Sequence, residues 1–366
     1  MPNAFTLGIE EEFQLIDPTT RALKSHIEEM MAAGAHLGDS LKPELHQSVV
    51  EVGTPICADI REARAAVTSL RRSLVSMAEG SGARIVAAGT HPFSHWKDQE
   101  ITDRERYVEI VNEMEDLARA NLIFGLHVHV GIEDREMQIL IMNAVRAFLP
   151  HLLALSVNSP FWCGRKTGVK SVRSTIFKRF PRTQIPDFFR SWHEYQKFVD
   201  LLVRTNCIDD AKKIWWDVRP HAHFKTLEFR ICDIPSRMEE TIMIAALIQA
   251  LVCKLRRVFE GNLSFRVYER AVIMENKFRA LKRGLDGHLI AFDLKAERPT
   301  RELIVEVLDF VDDVVDELGT REEMTRLRVW AHAGDTGADR QIAVWENTHD
   351  LRAVVDFLVD ETRRGL

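Results

Sequence analysis

The sequence predicts an α+β fold, with a half-buried, largely antiparallel sheet packed on helices and a helical last third. Three strand-like segments, "GIEEEFQLID", "GLHVHVG" and "TLEFRICD", alternate apolar and polar residues. Such alternation is typical of antiparallel strands with one face on the core, whereas buried parallel strands are continuously apolar. After the third segment the apolar residues recur at helical spacing, for example in "ELIVEVLDFVDDVVDEL".

The first elements are marked by turn and capping residues. Residues 5–17 and 46–55 alternate as strands do, and they end at Asp-Pro and Gly-Thr-Pro sequences. A helix is predicted from Asp59 to Gly80, because Asp59 and Glu62 are spaced as a capping box and glycine is common at helix ends.

Strands and helices continue to alternate as far as residue 157. Residues 83–92 and 122–132 have the composition of strands. Helical spacing of apolar residues predicts helices at 103–120 and 136–157, and the second should bend at Pro150 because proline interrupts the helical hydrogen bonds.

The last predicted strand, residues 225–235, leads into the helical part of the chain. Ser236 and Glu239 have the spacing of a second capping box, so a helix should begin there. No strand is predicted beyond it. We predict one continuous domain, in which residues 1–260 form a sheet-and-helix catalytic core and residues 261–366 form a helical region packed on that core.

Composition and charge argue against several classes of protein. The 366 residues carry a net charge of -6, which argues against a nucleic-acid-binding or membrane protein in bulk. The longest apolar run, Ile242 to Cys253, is shorter than the ~20 residues that a membrane-spanning helix needs. The five cysteines are widely spread and form no C-x-x-C pair, so we expect reduced thiols and a cytoplasmic location.

The polar faces of the three alternating strands carry residues suited to chemistry. They are Glu10 and Glu12, His127 and His129, and Glu228 and Arg230. Any one of these strands taken alone is better explained by a solvated face. If all three line one cavity, the crowded carboxylates would raise one another's pKa unless cations neutralised them. Oxygen-rich ligation with one or two imidazoles suits Mg²⁺ or Mn²⁺ better than zinc, and Arg230 would then meet a phosphate.

A basic segment, residues 165–182, has no acidic residue. Its cations are Arg165, Lys166, Lys170, Arg173, Lys178, Arg179 and Arg182, and the nearby aromatic residues are Phe161, Trp162, Phe177 and Phe180. From charge alone a solvated basic loop is the simplest explanation. The glycines and prolines of the longer loop, residues 158–186, favour an ordered lid near phosphate, whereas the aromatic residues would also suit stacking on single-stranded nucleic acid.

The segment "WWDVRPHAHF" contains a further candidate, Arg219, just before the strand of Glu228. Arg219 would be a second phosphate contact. The alternative is structural, with the two tryptophans in the core and Asp217 paired with Arg219 or another cation.

These segments resemble the bacterial carboxylate-amine ligases of the glutamate-cysteine ligase type 2 group. The matching stretches are "GIEEEFQLID", "PELHQSVVEVGTP", "GTHPF", "GLHVHVG", "SPFWCGRKTG", "KRFPRTQIP" and "WWDVRPHAHFKTLEFRICD". This group is similar in its catalytic core to glutamate-cysteine ligase and glutamine synthetase. The resemblance therefore implies a curved, mainly antiparallel sheet that forms a catalytic funnel, with helices outside.

The resemblance also implies a reaction. ATP would phosphorylate a carboxylate, typically the γ-carboxylate of glutamate, and an amine such as cysteine would displace phosphate from the acyl phosphate. Mg²⁺, or alternatively Mn²⁺, would position the phosphates, and arginines would stabilise the moving phosphoryl group. Glutamate-cysteine ligase activity itself is expected to be weak.

Site residues are carried over by motif. Those that resemble metal ligands are Glu10, Glu12, Glu51, His127 and Glu228. Those that resemble nucleotide-binding or catalytic residues are His129, Arg173, Arg219 and Arg230, with Arg230 on the transferred phosphate. Glu44 resembles another acidic position of the site, and a bulge or turn must separate it from Glu51 if both face the metals.

Two other functions stay open on the sequence alone. A metal-dependent hydrolase of γ-glutamyl amides would use the same ligands to activate water. A non-enzymatic nucleic-acid binder would use the basic residues of 165–182. The expected partners are small-molecule substrates rather than nucleic acid or a membrane, and a homodimer stays open.

Overall fold

A computed structural model describes residues 5–366, within which there are thirteen strands, fifteen α-helices and five short 3₁₀ helices. The strands are β1 Leu7–Ile16, β2 Leu41–Pro43, β3 Val49–Gly53, β4 Arg84–Val86, β5 Gly125–Gly131, β6 Phe161–Trp162, β7 Arg165–Lys166, β8 Thr183–Gln184, β9 Trp215–Trp216, β10 Val218–Pro220, β11 Thr226–Asp233, β12 His288–Ala291 and β13 Ala296–Pro299. The α-helices are α1 Ile27–Ala33, α2 Ile60–Gly80, α3 Glu105–Met114, α4 Asp116–Arg119, α5 Arg135–Val145, α6 Leu149–Ser156, α7 Val172–Phe177, α8 Trp192–Arg204, α9 Met238–Glu260, α10 Arg270–Arg283, α11 Thr300–Phe310, α12 Val315–Leu318, α13 Arg321–Ala333, α14 Gly337–Thr348 and α15 Leu351–Arg363.

The fold is organised around one seven-stranded sheet. Its strands follow the order β10-β11-β5-β1-β3-β2, and β4 also pairs with β1. Every pairing in this sheet is antiparallel. The predicted α+β class and antiparallel sheet are confirmed.

One face of the sheet is apolar and packs on helices. Leu7 and Ile9 of β1 and Val128 of β5 are at most 2% exposed, and they belong to the same hydrophobic cluster as Ile242 and Ala246 of α9. Because successive side chains of a strand point to opposite faces, the intervening residues of β1 and β5 are turned to the other side of the sheet. That second face carries the polar residues.

Glu11 is the exception on the apolar face. It is 2% exposed and ion-paired with the fully buried Arg71 of α2, with Arg71 Nε donating to Glu11 Oε2 at 2.9 Å and Arg71 Nη2 donating to Oε1 at 2.5 Å. The hydroxyl of Thr241 on α9 donates to the same Oε1 at 2.7 Å. Glu11 therefore ties the sheet to two helices.

Of the two predicted capping boxes, one is correct at its N-cap and the other is wrong. Asp59 accepts hydrogen bonds from the backbone N–H of Glu62 and its neighbour, and α2 ends at Gly80 as predicted. Ser236 instead donates its hydroxyl to the carbonyl of Ala87 at 2.9 Å, and α9 begins only at Met238. The Ser236 hydroxyl therefore bonds to a buried carbonyl on another chain segment and does not cap the helix.

The segment Arg135–Ser156, which contains α5 and α6, is long and apolar enough to cross a membrane by length and composition. In the fold, 89% of its most apolar stretch is buried inside the protein. The bend predicted at Pro150 is present as a 3₁₀ turn at Arg146–Phe148, and Pro150 lies in the first turn of α6. Core packing accounts for the apolar character of this segment.

The C-terminal part of the chain is helical as predicted, with one difference. Strands β12 and β13 form an antiparallel hairpin, in which His288 is opposite Pro299. No strand was expected there. Val354 and Leu358 of α15 share a hydrophobic cluster with Phe13 of β1, so the C-terminal helices pack directly on the sheet.

Candidate active site

The polar face of the sheet forms the wall of a cavity of about 630 Å³. All the predicted site residues line it: Glu10, Glu12, Glu44, Glu51, His127, His129, Arg173, Arg219, Glu228 and Arg230. They come from five strands, one turn and one helix that are far apart in the sequence. The cavity therefore depends on the pairing of the strands.

Strand register places the acidic and imidazole side chains in rows. Glu10 of β1 is opposite His127 of β5, and Glu12 is opposite Glu51 of β3. Residues directly opposite on antiparallel strands have their side chains on the same face and within contact distance. One row on this face therefore pairs the carboxylate of Glu10 with the imidazole of His127. Another pairs the carboxylates of Glu12 and Glu51.

The next row contains Glu228 of β11, which is opposite His129 on one side and Arg219 of β10 on the other. The register between β11 and β5 shifts between Phe229 and Cys232. A bulge there adds an extra residue and re-aims the local side chains. Arg230 lies within this bulge, next to the buried Glu228.

Glu44 reaches the cavity by a turn. It follows the last residue of β2, and the chain then reverses direction before β3 begins at Val49. The carboxylates of Glu44 and Glu51 can therefore face the same space despite their odd separation in the sequence. The sequence analysis required either a bulge or a turn between Glu44 and Glu51, and the structure has a turn.

Three groups of donor atoms in the cavity have the composition of metal sites. Within each group the ligand atoms lie within 4.8 Å of one another. The groups are Glu10, Glu51 and His127; Glu10, His129 and Glu228; and Glu12, Glu44 and Glu51. Carboxylate oxygens with few imidazoles suit Mg²⁺ and Mn²⁺. The residues present fit a magnesium-type centre.

The electrostatics of the third group support this fit. Burial raises the pKa of Glu12 to about 7, with a further contribution from Glu51. Burial and the charge of Glu12 raise the pKa of Glu44 to about 7, and burial with Glu10 and Glu44 raises the pKa of Glu51 to about 8. Carboxyl groups crowded in this way retain protons near neutral pH unless a cation takes their place.

The two histidines differ in their environment. Burial and the nearby guanidinium of Arg230 lower the pKa of His127 to about 4. Burial also disfavours the charged form of His129, but the carboxylates of Glu10 and Glu228 outweigh it and raise its pKa. The buried Nε2 of His129 has no hydrogen-bond partner within residues 5–366. An unpaired ring nitrogen that faces a carboxylate is available to contact a bound ligand.

Glu228 is held by two arginines. Arg219 Nε donates to Glu228 Oε2 at 2.8 Å, and Arg230 Nη1 donates to Oε1. Although burial disfavours the charged carboxylate, the two guanidinium groups outweigh it and hold the pKa of Glu228 well below its usual range. The cavity therefore contains two cations that are positioned by an ionised carboxylate.

Arg173 of α7 enters the site from the other side. Its guanidinium donates to the carbonyls of Arg230 and Ile231, both at 3.2 Å, and it passes so close to Gly125 that an added Cβ would lie 2.4 Å from Nη2. A side chain at the first glycine of "GLHVHVG" would therefore displace this guanidinium. The buried Nε atoms of Arg173 and Arg230 have no hydrogen-bond partner in the described chain.

The predicted basic lid is largely wrong. Lys166 is paired with Glu346 at 2.8 Å and Lys170 with Asp286 at 2.7 Å. These two cations therefore form ion pairs with the C-terminal region of the chain and do not bind a phosphate in the cavity. Among the seven basic residues of 165–182, Arg173 is the one that lines the cavity. The aromatic residues predicted for stacking, Phe161, Trp162, Phe177 and Phe180, are each at most 8% exposed. This burial does not favour a binder of single-stranded nucleic acid.

Other residues of the cavity were missed by the sequence analysis. Lys42 of β2 contacts Glu10 and Glu51, and Arg106, Tyr107 and Lys212 also line the wall. β2 has only three residues, so it is too short to show alternation.

The sequence left open which cation pairs with Asp217. In the structure Asp217 forms an ion pair with Lys277 at 2.6 Å.

Comparison with known sequences identifies the family. The profile of the family described as glutamate-cysteine ligase family 2 matches residues 6–356. Relatives named "Putative glutamate--cysteine ligase 2" occur in Solibacter usitatus and Roseiflexus castenholzii, and they are 54% and 56% identical to this chain over 365 and 363 residues. The alignments cover 99% of this chain and 94% and 96% of those relatives.

Solved structures show the same fold at much lower sequence identity. The glutamate-cysteine ligase of Francisella tularensis, solved in complex with AMP, superposes with a TM-score of 0.73 at 13% identity, covering 99% of this chain and 88% of that one. A bifunctional glutathione synthetase from Pasteurella multocida gives 0.69 at 14% identity, covering 98% of this chain and 51% of that one. With the sequence match over nearly its whole length, the chain belongs to the glutamate-cysteine ligase family 2.

Proposed function

We propose that this protein is an ATP-dependent carboxylate-amine ligase that forms an amide through an acyl phosphate, with the γ-carboxylate of glutamate as the carboxylate. The observation that carries the proposal is the convergence of acidic, imidazole and guanidinium groups in one cavity. Such a set matches phosphoryl transfer, in which metal ions and arginines stabilise the charge of the phosphates. Family membership supports the class of reaction.

The metal ligands in this proposal are Glu10, Glu12, Glu51, His127 and Glu228, with Glu44 as a further acidic residue. A Mg²⁺ ion held by these residues would neutralise charge on the phosphate oxygens and polarise the phosphoryl group. The protein supplies the pre-formed donor groups on rigid strands, where their positions are fixed by the register of the sheet. Mn²⁺, which accepts the same ligands, is the proposed substitute.

The cationic residues bind the nucleotide and the transferred group. Arg219 and Arg230 project from β10 and β11, and Arg173 projects from α7, so a phosphate in the cavity is approached from two sides. His129 completes this set as a phosphate contact. Because Glu228 already holds Arg219 and Arg230 in place, these guanidinium groups need little reorganisation to stabilise developing charge.

The proposed reaction has two steps. A carboxylate oxygen of glutamate attacks the γ-phosphorus of ATP, and the bond to ADP breaks. The amine nitrogen then attacks the acyl carbon, phosphate leaves, and the nitrogen loses a proton. In this proposal Arg230 stabilises the phosphoryl group in the first step and the departing phosphate in the second.

The alternative of a metal-dependent amide hydrolase uses the same ligands without a nucleotide. The three arginines argue against it, since hydrolysis of an amide creates no phosphate charge for them to stabilise. Cleavage of γ-glutamyl amides by the protein in the absence of ATP would favour the hydrolase.

An amine screen tests the proposal. The protein is incubated with ATP, Mg²⁺, glutamate and a panel of amines that includes cysteine, and the products are identified by mass spectrometry. We expect ADP, phosphate and a γ-glutamyl amide to appear together, and only when both substrates are present. Amide formation without ADP release would contradict the acyl-phosphate mechanism.

Two further proposals need separate tests. Fractionation of cells tests the proposed cytoplasmic location, and a measurement of the molecular mass in solution tests whether the protein is a homodimer.

A further inference from the structure

Lys42 lies between two of the carboxylates of the candidate metal centre. Its Nζ is 3.2 Å from Glu10 Oε1 and 3.1 Å from Glu51 Oε1. Lys42 is directly opposite Glu51 across β2 and β3, so strand register directs its side chain onto this face. Both contacts are charge-assisted hydrogen bonds, which are stronger than those between neutral groups.

The same two carboxylates belong to a donor group of the proposed metal centre. Glu10 and Glu51 form this group with His127, and their ligand atoms lie within 4.8 Å of one another. Within residues 5–366, Lys42 is the one lysine or arginine that is ion-paired with either glutamate. An ammonium group and a divalent cation would therefore draw on the same two acidic side chains, and their positive charges repel each other.

We propose that Lys42 is an internal counter-ion of this donor group, which a divalent cation must displace, and that Lys42 thereby sets the metal affinity of the site. The inference rests on the metal chemistry of the proposed function. Solvent exposure supports the displacement, because the Lys42 side chain is 45% exposed while that of Glu51 is 9% exposed. The ammonium group can swing into water on its flexible stem while the carboxylates remain on the sheet.

This arrangement has two opposing consequences. Without metal, Lys42 stabilises the fold by offsetting the repulsion among carboxylates on β1 and β3. When metal binds, the contacts of Lys42 with Glu10 and Glu51 are lost, and this loss weakens binding. Removal of the ammonium should therefore strengthen metal binding and weaken the metal-free protein.

Mn²⁺ binding to the full chain, measured without nucleotide from the electron paramagnetic resonance signal of free Mn²⁺, tests the first consequence. Lys42→Met should raise the association constant at least about tenfold, because a positive charge a few ångströms from the ion is removed. Lys42→Arg keeps the charge and should bind like the wild type. Lys166→Met removes a lysine that is paired with Glu346 outside the cavity, and as the matched control it should leave the affinity unchanged.

The melting temperature in a chelator tests the second consequence. Lys42→Met should melt below both the wild type and Lys166→Met, and Mn²⁺ should restore it. Should Lys42→Met fail to fold, Lys42→Gln removes the charge and keeps a hydrogen-bonding side chain, with the same expected rise in affinity.

The outcomes separate this inference from the proposed function. Equal Mn²⁺ affinity in the wild type and in the uncharged variants would overturn the role of Lys42 and leave the metal centre standing. If neither the wild type nor any variant bound Mn²⁺, the metal centre itself would be overturned.

Discussion

Glu12 lies directly opposite Glu51 on adjacent antiparallel strands, and within residues 5–366 no lysine or arginine is ion-paired with Glu12. Like charges at opposite positions of a sheet destabilise it by a few tenths to about 1 kcal/mol. The fold accepts this repulsion on the wall of a cavity. A bound cation would turn the same carboxylates into a favourable group, so stability and metal binding are linked at this pair.

Neutralising Glu12 should stabilise the metal-free protein and abolish ligation. In Glu12→Gln the side-chain oxygen can still accept the hydrogen bond that the backbone of Gly125 donates at 2.6 Å. Above about pH 8, where both carboxyl groups are ionised, we expect the free energy of unfolding in a chelator to rise by about 1 kcal/mol, as measured by urea denaturation. Glu133→Gln, at an exposed surface pair with Lys225, is the control and should change little. A Glu12→Gln variant less stable than the wild type would argue against the repulsion.

The metal-free protein should lose stability as the pH rises from 6.5 to 8. The pKa values of Glu12, Glu44 and Glu51 are raised from 4.5 to about 7, 7 and 8 by burial and mutual repulsion. In this pH range the folded state binds protons that the unfolded chain has already released, so stability is present at low pH and is lost as the pH rises through the folded pKa values.

Melting temperatures measured in a chelator between pH 6.5 and 8 test this pH dependence. Histidines whose pKa is lowered by burial, such as His127, act in the opposite direction, but only below about pH 6.5. Glu51→Gln should flatten the profile, because the group with the largest raised pKa is removed. Saturating Mg²⁺ should flatten it as well, since the metal takes the place of the protons. Equal slopes for the wild type and Glu51→Gln would show that the pKa of Glu51 is not raised.

The sequence predicted four of the five strands that carry site residues, but not β10, which carries Arg219, and not the register of the sheet. Alternation in "GIEEEFQLID" and "GLHVHVG" assigns Glu10 and His127 to polar faces, because the period of a strand is local. That these two residues lie opposite each other depends on the pairing of β1 with β5, more than 100 residues apart. The proposed metal ligands were named from the resemblance to a family, and the rows that bring these residues together are seen in the structure.

The elements that were missed lacked a local signal. The hairpin of β12 and β13 has strands of four residues and turns at Lys295, whose φ is 50°, where a glycine or asparagine would have indicated a turn. The basic segment was misjudged for a similar reason. The acidic partners of Lys166 and Lys170, Glu346 and Asp286, come more than 100 residues later in the chain.

The buried ion pair of Glu11 and Arg71 should be a determinant of stability. Arg71 is 0% exposed and also donates to the carbonyls of Pro235 and Ser236. Without Glu11, water could not solvate the charge of this buried guanidinium. Glu11→Gln should lower the free energy of unfolding by about 3 to 5 kcal/mol in urea denaturation, because it leaves a buried charge uncompensated.

A double-mutant cycle checks that this loss belongs to the pair. Replacing both Glu11 and Arg71 with apolar residues should cost less than the sum of the two single replacements, since each single variant leaves an unpaired buried charge and the double variant leaves none. Additive losses would show that the two side chains act independently. In the sequence the three consecutive glutamates look alike, and only their alternation separates Glu11 from Glu10 and Glu12.

Arg230→Ala should impair phosphoryl transfer far more than nucleotide binding. The buried Nε of Arg230 has no protein partner within residues 5–366, which leaves a donor free for a phosphate oxygen. Without Arg230, Glu228 stays paired with Arg219, so the fold should tolerate the change. We expect single-turnover formation of ADP to slow by about 10³-fold, with the Kd for ATP within about threefold of the wild-type value.

Arg219→Ala is the informative comparison for that experiment. Arg219 also donates to the carbonyls of Lys212 and Ile214, so its removal leaves Glu228 and two backbone acceptors with fewer donors and should lower the melting temperature as well as the rate. Within residues 5–366 the Arg230 side chain donates to Glu228 but to no backbone carbonyl, so a loss of rate at unchanged melting temperature would assign it to the chemical step. An unchanged single-turnover rate in Arg230→Ala would remove this arginine from the phosphoryl-transfer machinery.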